Sequence, residues 1–394
     1  MLNLNIIKSE TSKEIVNSED SLSPSLMLAS IVLIFISFGL IMLYSTSSGN
    51  TAAKETSLLG FKIGSDLLFF IKQGMWAGVG AVGAFSIYAV GFKTLAKYSN
   101  PLLILAIAGL TAALFFPEIN GAKRWIRLPG MSIQPSEFAK IALIIYLAQF
   151  LAKKQRFIDS FFSMVPAFCW VGGVIFLIIL GEDLGTTLLL SATVWIMFFV
   201  AGMRIWWLLA PVIIGVPPLA AYIYFFDPMR MARLLSFLDP ESVNERTGYQ
   251  LWHSLLALGS GGWTGLGFTK SRMKAMYLPE AHTDFILSIV GEELGVFSLI
   301  LIVAGYACIM GIGLWISSRT KNKALMLLGV GATSLITLQA IINLGVVSGA
   351  LPTKGMPAPF ISYGGSNMFM SLCCVGLLLC IEKETKRERS ISDN

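Results

Sequence analysis

Charged and metal-binding residues are scarce in this chain. Its 394 residues include 29 Lys and Arg and 23 Asp and Glu, so that 13% are charged, about half the share of an ordinary globular protein. Only two histidines are present, and none of the five cysteines forms a CxxC pair or lies near a histidine in sequence. The composition therefore argues against a soluble enzyme, and the spacing predicts neither a zinc site nor a disulfide framework.

Long apolar runs dominate the rest of the chain, which is 55% hydrophobic. About 20 apolar residues are needed for a helix to cross a bilayer. We expect an all-α polytopic integral membrane protein in which a cytoplasmic N-terminal tail (1–25) and a cytoplasmic C-terminal tail (383–394) flank a ten-helix transmembrane domain (26–382). Ten charge-poor segments are candidate spans, namely 21–53, 73–92, 98–117, a short one near 136–152, 160–181, 184–203, 205–226, 294–318, 324–353 and 355–381.

The distribution of basic residues predicts the orientation of these spans. An even number of spans places both termini on one side, and the loops on that side, with the tails, hold fifteen Lys and Arg. The positive-inside tendency assigns that side to the cytoplasm. On the opposite side, ten cations gather in the segments 118–137, 227–293 and 351–366. Solvation or pairing explains any single cation equally well, but the cluster as a whole favours an anionic ligand such as a phosphate or diphosphate.

The largest predicted loop lies between spans 7 and 8, at about 227–283, on the outer side. Within it, residues 247–269 are uncharged, but the five glycines of the second half interrupt any span. We expect a short amphipathic helix followed by irregular backbone near the membrane surface. The glycines do not follow the order GxxxxGK[ST], so a nucleotide site is not predicted.

A carboxylate stands where this loop meets the eighth span. Pro279 predicts a helix start, which would place Asp284 at the outer mouth of the span, with Glu292 on the same face about 12 Å deeper. Carboxylates at membrane depth usually face a cavity and carry function. Asp284 is the candidate general base because substrates outside the cell can reach it. For Glu292 and Glu293, a structural pairing is as good an interpretation as a catalytic role.

Two further polar clusters accompany predicted helix starts. Residues 118–140 join Arg124 to the helix start at Pro135, with Glu137 in its first turn and Lys140 one turn further on. At 181–187, Glu182 and Asp183 precede a Gly-Thr-Thr turn. Acidic residues at helix N-termini are also favoured by the helix dipole, so capping and ligand binding remain equal alternatives for both clusters.

These motifs together resemble the SEDS family of polytopic membrane proteins, over about residues 26–382. Within the family, the chain is more similar to the division-type members than to the elongation-type members. The resemblance implies a peptidoglycan glycosyltransferase that polymerises lipid II, a polyprenyl-diphosphate disaccharide-pentapeptide, on the outer face of the bacterial inner membrane. The strings that carry it are NGAKRWIRLPG, IQPSEFAK, DLGTT, RLLSFLDPE, LALGSGGWTGLG, YLPEAHTDFI, GEELG and LPTKGMPAPFISYGGS.

The resemblance also implies roles for individual residues and partners. Asp284 would be the catalytic acidic residue, and a divalent cation, Mg²⁺ or Mn²⁺, is a candidate helper of the leaving diphosphate, with no other cofactor expected. The expected partners are a class B penicillin-binding protein transpeptidase and other membrane proteins of the division complex at the septum, and no nucleic acid. The candidate substrate-binding residues are Arg124, Asp183, Arg233, Lys274, Lys354, Lys123, Glu137, Lys140 and His282.

Two other classes of function compete with glycosyl transfer. Ten spans with buried carboxylates also describe a transporter or a lipid II flippase. A flippase needs polar residues along its whole path, whereas the charges here gather at the outer end of the spans. A non-catalytic scaffold of the division machinery is a third alternative, and the composition does not argue against it.

Overall fold

The architecture is described from a computed structural model. It describes residues 23–47, 56–58, 61–63, 65–118, 121–128, 131–226, 231–232, 237, 248–274, 278, 281–353 and 355–392. Among the predicted site residues, Arg233 and Lys354 lie outside this part of the chain, as do Pro279 and several stretches of the predicted large loop.

Within these ranges the chain is almost entirely helical. The helices, in chain order, are α1 (Pro24–Ser47), α2 (Ser65–Val90), α3 (Phe92–Lys97), α4 (Ser99–Ala113), α5 (Pro135–Lys153), α6 (Phe161–Leu180), α7 (Leu184–Ala201), α8 (Ile205–Phe226), α9 (Tyr249–Gly261), α10 (Ile286–Ser318), α11 (Lys323–Val347) and α12 (Gly365–Ser392).

Eight of these helices are long and apolar enough to cross a membrane, namely α1, α2, α5, α6, α7, α10, α11 and α12. Two shorter apolar helices, α4 and the Ile205–Gly215 part of α8, lie where the third and seventh spans are predicted. The all-α polytopic membrane fold is therefore confirmed. The count of ten spans and the two cytoplasmic termini stay predictions.

Two small hairpins interrupt the helical pattern and were not predicted from the sequence. Strands β1 (Thr56–Leu58) and β2 (Phe61–Ile63) pair antiparallel between α1 and α2. Strands β3 (Ile126–Leu128) and β4 (Met131–Ile133) pair antiparallel immediately before α5. The second hairpin brings Arg127 and Ser132 to the cavity described below.

The centre of the bundle consists of α5, α11 and α12. In their most apolar windows, 72%, 83% and 83% of the residues are buried, compared with 22% in α2 and 28% in α6. α12 packs mainly on α2, and α11 contacts α5, α7, α10 and α12. Polar side chains on α5 and α11 therefore face protein, where hydrogen bonds can offset the cost of membrane depth.

The segment between α11 and α12 is irregular and lies deep in the fold. The predicted start of the last span at residue 355 is wrong, because residues 355–364 form irregular backbone and turns and α12 begins at Gly365. Pro357 and Pro359 lack the amide hydrogens that a helix interior requires. The segment packs closely where it meets α12, and glycine is required there because a Cβ at Gly365 would overlap the indole of Trp76. At its other end, α12 continues through the predicted C-terminal tail to Ser392.

The start of the eighth span also differs from the prediction. Residues 281–285 form turns and α10 begins at Ile286, so the predicted helix start at Pro279 is wrong and Asp284 precedes the helix. α10 is broken at Gly295, whose φ of 77° is left-handed. The turn after α9 compensates for this break, because the amides of Leu266 and Gly267 donate to the carbonyls of Glu292 and Glu293, both at 2.9 Å. The predicted short helix followed by irregular backbone is confirmed in this region.

Candidate functional site

A cavity of about 710 Å³ lies among the helix ends on the predicted outer side. Its walls come from α2, the β3–β4 hairpin, the first turns of α5 and α7, the turn before α10, and the segment 355–367. Gln339 of α11 also contributes to the lining. Helix ends from distant parts of the sequence thus converge on one space, which is typical of ligand sites between the helices of a bundle.

Asp284 lines this cavity from the turn before α10. The residue is half-buried. Its backbone carbonyl accepts a hydrogen bond of 2.8 Å from Nδ2 of Asn343 on α11. On its other side the segment after α11 passes so close that a Cβ at Gly355 would lie 2.8 Å from the Asp284 Oδ2 atom. Packing on both sides therefore determines where the carboxylate can lie.

Arg124 and Asp183 form a pair in the same cavity. The Arg124 Nη1 atom lies 3.6 Å from Asp183 Oδ1, and the arginine side chain is 28% exposed. Asp183 also caps α7, because its Oδ1 accepts from the backbone amide of Thr186 at 3.1 Å and its Oδ2 from Gln134 Nε2 at 2.8 Å. Asp183 is thus both a helix cap and the counter-ion of Arg124. The guanidinium keeps enough exposure to meet an anion in the cavity.

A buried polar network adjoins the cavity. On α5, Lys140 Nζ lies 2.9 Å from Glu137 Oε1 and donates to Gln339 Oε1 at 3.3 Å. Gln339 Nε2 donates to Asn367 Oδ1 at 2.7 Å. Glu137, Gln339 and Asn367 line the cavity, whereas Lys140 supports them from behind. Glu137 and Lys140 are about 95% buried, so each charge needs a partner of opposite sign, and the pair provides it.

Several cavity residues were not among the predicted substrate-binding residues, although Arg127 was counted among the outer cations of the segment 118–137. Lys72 of α2 and Arg127 of β3 bring two further cations to the lining. Lys72 carries a detectable signal, because it interrupts an apolar run at the predicted outer end of the second span. Tyr363 also lines the cavity, and burial raises the pKa of its phenol above the ordinary value. The phenol therefore stays protonated at neutral pH and can donate a hydrogen bond.

Three other predicted substrate-binding residues that the structure describes do not line this cavity, namely Lys123, Lys274 and His282. Lys274 is buried and its Nζ lies 2.9 Å from Glu293 Oε1, with a further bond of 3.1 Å to the backbone carbonyl of Ser45 on α1. Lys123 is exposed and lies 3.4 Å from Glu118. The His282 ring packs against Phe69, with ring centroids 4.6 Å apart. The substrate-binding roles assigned from the sequence stay predictions.

Glu292 and Glu293 are fully buried beside the 271–274 turn. Glu292 accepts from the backbone amide of Arg272 at 2.9 Å and from the Ser271 hydroxyl. Glu293 accepts from the hydroxyl of Ser45 and pairs with Lys274. These contacts fasten the turn to α1 and α10, which favours the structural interpretation of both glutamates.

The described residues that line the cavity do not form a closed metal-binding cage of their own. In the part of the chain that the structure describes, no three His, Cys, Asp or Glu side chains come together as a metal-binding group. The carboxylates of Glu137 and Asp183 are already paired with Lys140 and Arg124.

Comparison with known sequences covers nearly the whole chain. The sequence profile of the FtsW/RodA/SpoVE family, described as cell cycle proteins, matches residues 25–387. A probable peptidoglycan glycosyltransferase FtsW of Geobacter sp. (strain M18) is 37% identical over 348 residues, which cover 87% of this chain and 92% of the relative. Stage V sporulation protein E of Bacillus subtilis (strain 168) is 36% identical over 369 residues, which cover 92% and 98%.

Solved structures show the same fold. A chain from a study of the structural coordination of polymerisation and crosslinking by a peptidoglycan synthase complex aligns with a TM-score of 0.73 at 23% identity, covering 91% of this chain and 97% of that one. The rod shape determining protein RodA of Thermus thermophilus aligns with a TM-score of 0.66 at 23% identity, covering 91% and 96%. By the profile match and the identity with its relatives, this chain belongs to the FtsW/RodA/SpoVE family of polytopic membrane proteins.

Proposed function

We propose that this protein is a peptidoglycan glycosyltransferase that polymerises lipid II into glycan strands on the outer face of the inner membrane during septal wall synthesis. Its relatives named FtsW carry the same activity in their names, at 36–37% identity over most of the chain. The chemistry of the cavity supports the assignment independently of those names.

The observation that carries the proposal is the convergence of three kinds of surface on one cavity. Asp284 supplies a carboxylate, Arg124, Lys72 and Arg127 supply cations, and Met75 of α2 supplies apolar surface. Lipid II combines a sugar hydroxyl that must lose a proton, a diphosphate that must leave, and a polyprenyl chain. Each part therefore has a matching surface within the same space.

The reaction joins two sugars by displacement. The acceptor hydroxyl attacks the anomeric carbon of the donor, the new glycosidic bond forms as the bond to the diphosphate breaks, and polyprenyl diphosphate leaves with the bonding electrons. Asp284 takes the hydroxyl proton as general base, a role worth about 10²–10⁴-fold in rate. Arg124, Lys72 and Arg127 offset the charge that develops on the leaving diphosphate.

The polyprenyl chain remains in the bilayer during this reaction. Met75 and Val79 line the cavity, yet they are 61% and 53% exposed on the apolar helix α2. In a membrane these exposed faces meet lipid, so the cavity opens sideways toward the acyl chains. A substrate with its headgroup in the cavity can keep its tail along α2.

The proposed setting is the septal inner membrane with both termini in the cytoplasm, which puts the cavity outside, where lipid II is polymerised. A class B penicillin-binding protein that crosslinks the new strands is the proposed partner, with other division proteins nearby. A structural relative from a peptidoglycan synthase complex supports such a partnership. A flippase would need a polar route through the bundle, whereas Arg124, Lys72 and Arg127 gather at one cavity among the helix ends.

A reconstituted polymerisation assay tests the proposal. The purified protein, with and without a class B penicillin-binding protein, is given labelled lipid II, and polymer is scored on a gel. We expect polymer from the wild type and about 10²–10⁴-fold slower formation by Asp284→Asn, which keeps the shape of the side chain and removes the base. Near wild-type polymerisation by Asp284→Asn would sink the base assignment, and no polymer from the wild type under any condition would sink the proposed activity.

A further inference from the structure

Two amide side chains lie one helical turn apart on α11, at Gln339 and Asn343. Residues four apart share a helix face. Their exposed fractions are 3% and 1%. A buried amide at membrane depth is costly unless it is hydrogen-bonded, so its partners indicate what it holds in place.

Asn343 joins two segments that are far apart in sequence. Its Nδ2 atom donates to the backbone carbonyl of Asp284 at 2.8 Å and to that of Met356 at 2.7 Å. An amide nitrogen has two hydrogens, so both donors are used. The Oδ1 atom of Asn343 is buried and accepts no hydrogen bond from the residues that the structure describes. The side chain therefore acts at this place as a double donor.

Gln339 forms a second link to the same segment. Its Nε2 atom donates to the carbonyl of Pro357 at 2.8 Å and to Asn367 Oδ1 at 2.7 Å. Residues 355–357, which line the cavity, are thus tied to α11 at two successive carbonyls. The Asn343 link includes Asp284 in the same arrangement. Because residues 281–285 are turns rather than helix, no helical hydrogen-bond ladder fixes the backbone there.

We propose that Asn343 is a positioning residue for glycosyl transfer. It fixes the backbone of Asp284 against the 355–357 segment and so sets the place where the carboxylate meets the acceptor hydroxyl. The inference rests on the proposed function, in which Asp284 is the general base. Asn343 is not one of the side chains that line the cavity, so it acts through Asp284 rather than on the sugar.

Asn343→Leu removes both donors while keeping a side chain of similar size and branching. We expect kcat for lipid II polymerisation to fall by about 10-fold to 10²-fold, the scale of a misplaced catalytic group, with KM unchanged. Asn343→Ser, which keeps one shorter donor, is expected to lose less kcat. The matched control is Thr333→Val on the same helix, because Thr333 is 1% exposed and its hydroxyl has no hydrogen-bond partner within the described ranges. This control is expected to keep wild-type kinetics.

A double-mutant cycle separates positioning from general damage. In an Asp284→Asn background, Asn343→Leu is expected to cause no further loss of the residual rate, because residues that act as one unit are not additive. A further loss equal to that seen in the wild-type background would overturn the inference, as would wild-type kcat in both Asn343 variants. An inactive wild type would instead overturn the proposed function and this inference with it.

Discussion

A single methyl group at Gly355 tests whether the position of Asp284 limits the rate. The φ of Gly355 lies outside the left-handed region, so alanine fits the backbone there. Its Cβ would lie 2.8 Å from Asp284 Oδ2, whereas ordinary contact begins at 3.4 Å. The carboxylate or the 355–357 segment must therefore move by at least about 0.6 Å to restore van der Waals contact.

The expected cost falls on the rate and not on stability. A misplacement of about 1 Å can lower an enzymatic rate by about 10²-fold, so we expect Gly355→Ala to lose about 10-fold to 10²-fold in kcat. A glycine-to-alanine change at a compatible backbone typically stabilises a protein by about 0.4–1 kcal/mol, so Tm is not expected to fall. Initial rates of lipid II polymerisation and thermal unfolding in detergent measure the two quantities.

Gly109→Ala in α4 is the matched control, because its Cβ would meet Pro135 at an ordinary 3.5 Å. We expect this variant to polymerise at the wild-type rate. A rate within about twofold of wild type in both Gly355→Ala and Gly109→Ala would contradict this prediction. It would show that a displacement of less than about 1 Å at Asp284 does not limit polymerisation.

The remaining predictions concern charges. Arg124→Ala and Lys354→Ala should each weaken substrate use by about 1.5–3 kcal/mol, the scale of a charged hydrogen bond, and normal kcat/KM in both would show that these cations do not bind the diphosphate. Lys274→Met should destabilise the fold by about 3–5 kcal/mol because it leaves Glu293 buried and unpaired. The single variant should therefore have a lower Tm than wild type, and the double variant Lys274→Met, Glu293→Gln should recover most of the loss. Equal Tm values for the single and double variants would contradict the pairing.

The positions of the spans could be predicted because bilayer thickness acts on local sequence. An apolar run between charges is enough to place α6 or α7, and the four-residue string PSEF is enough to begin α5. The hypothesis that Asp284 is the base also rests on a local pattern, since the residue follows a loop and precedes an apolar run. Tertiary structure then brings Arg124, Asp183 and Asp284 to one cavity, as the resemblance implied and as no local pattern could show.

The parts that escaped the sequence depend on contacts between distant segments. Lys274 looked like a loop cation, but its partners are Glu293 and the carbonyl of Ser45, which is 229 residues away in the chain. The predicted start of α10 was wrong because residues 281–285 form turns where Pro279 suggested a helix. Asn343 of α11 donates a hydrogen bond to the backbone of these turns. The role of Asn343 could not be predicted, since the sequence of an apolar helix does not show whether a single amide side chain binds a loop or another helix.

The exposed faces of Met75 and Val79 on α2 bear on how a strand could be lengthened repeatedly. Withdrawing a hydrocarbon chain from a bilayer into water costs about 0.8 kcal/mol for each methylene group, which becomes prohibitive for a polyprenyl tail. A cavity walled off from lipid would impose that cost at each addition. If substrates enter beside α2, each lipid II molecule can reach the cavity by lateral diffusion in the membrane. The released polyprenyl diphosphate can leave by the same route while the glycan strand extends away from the membrane.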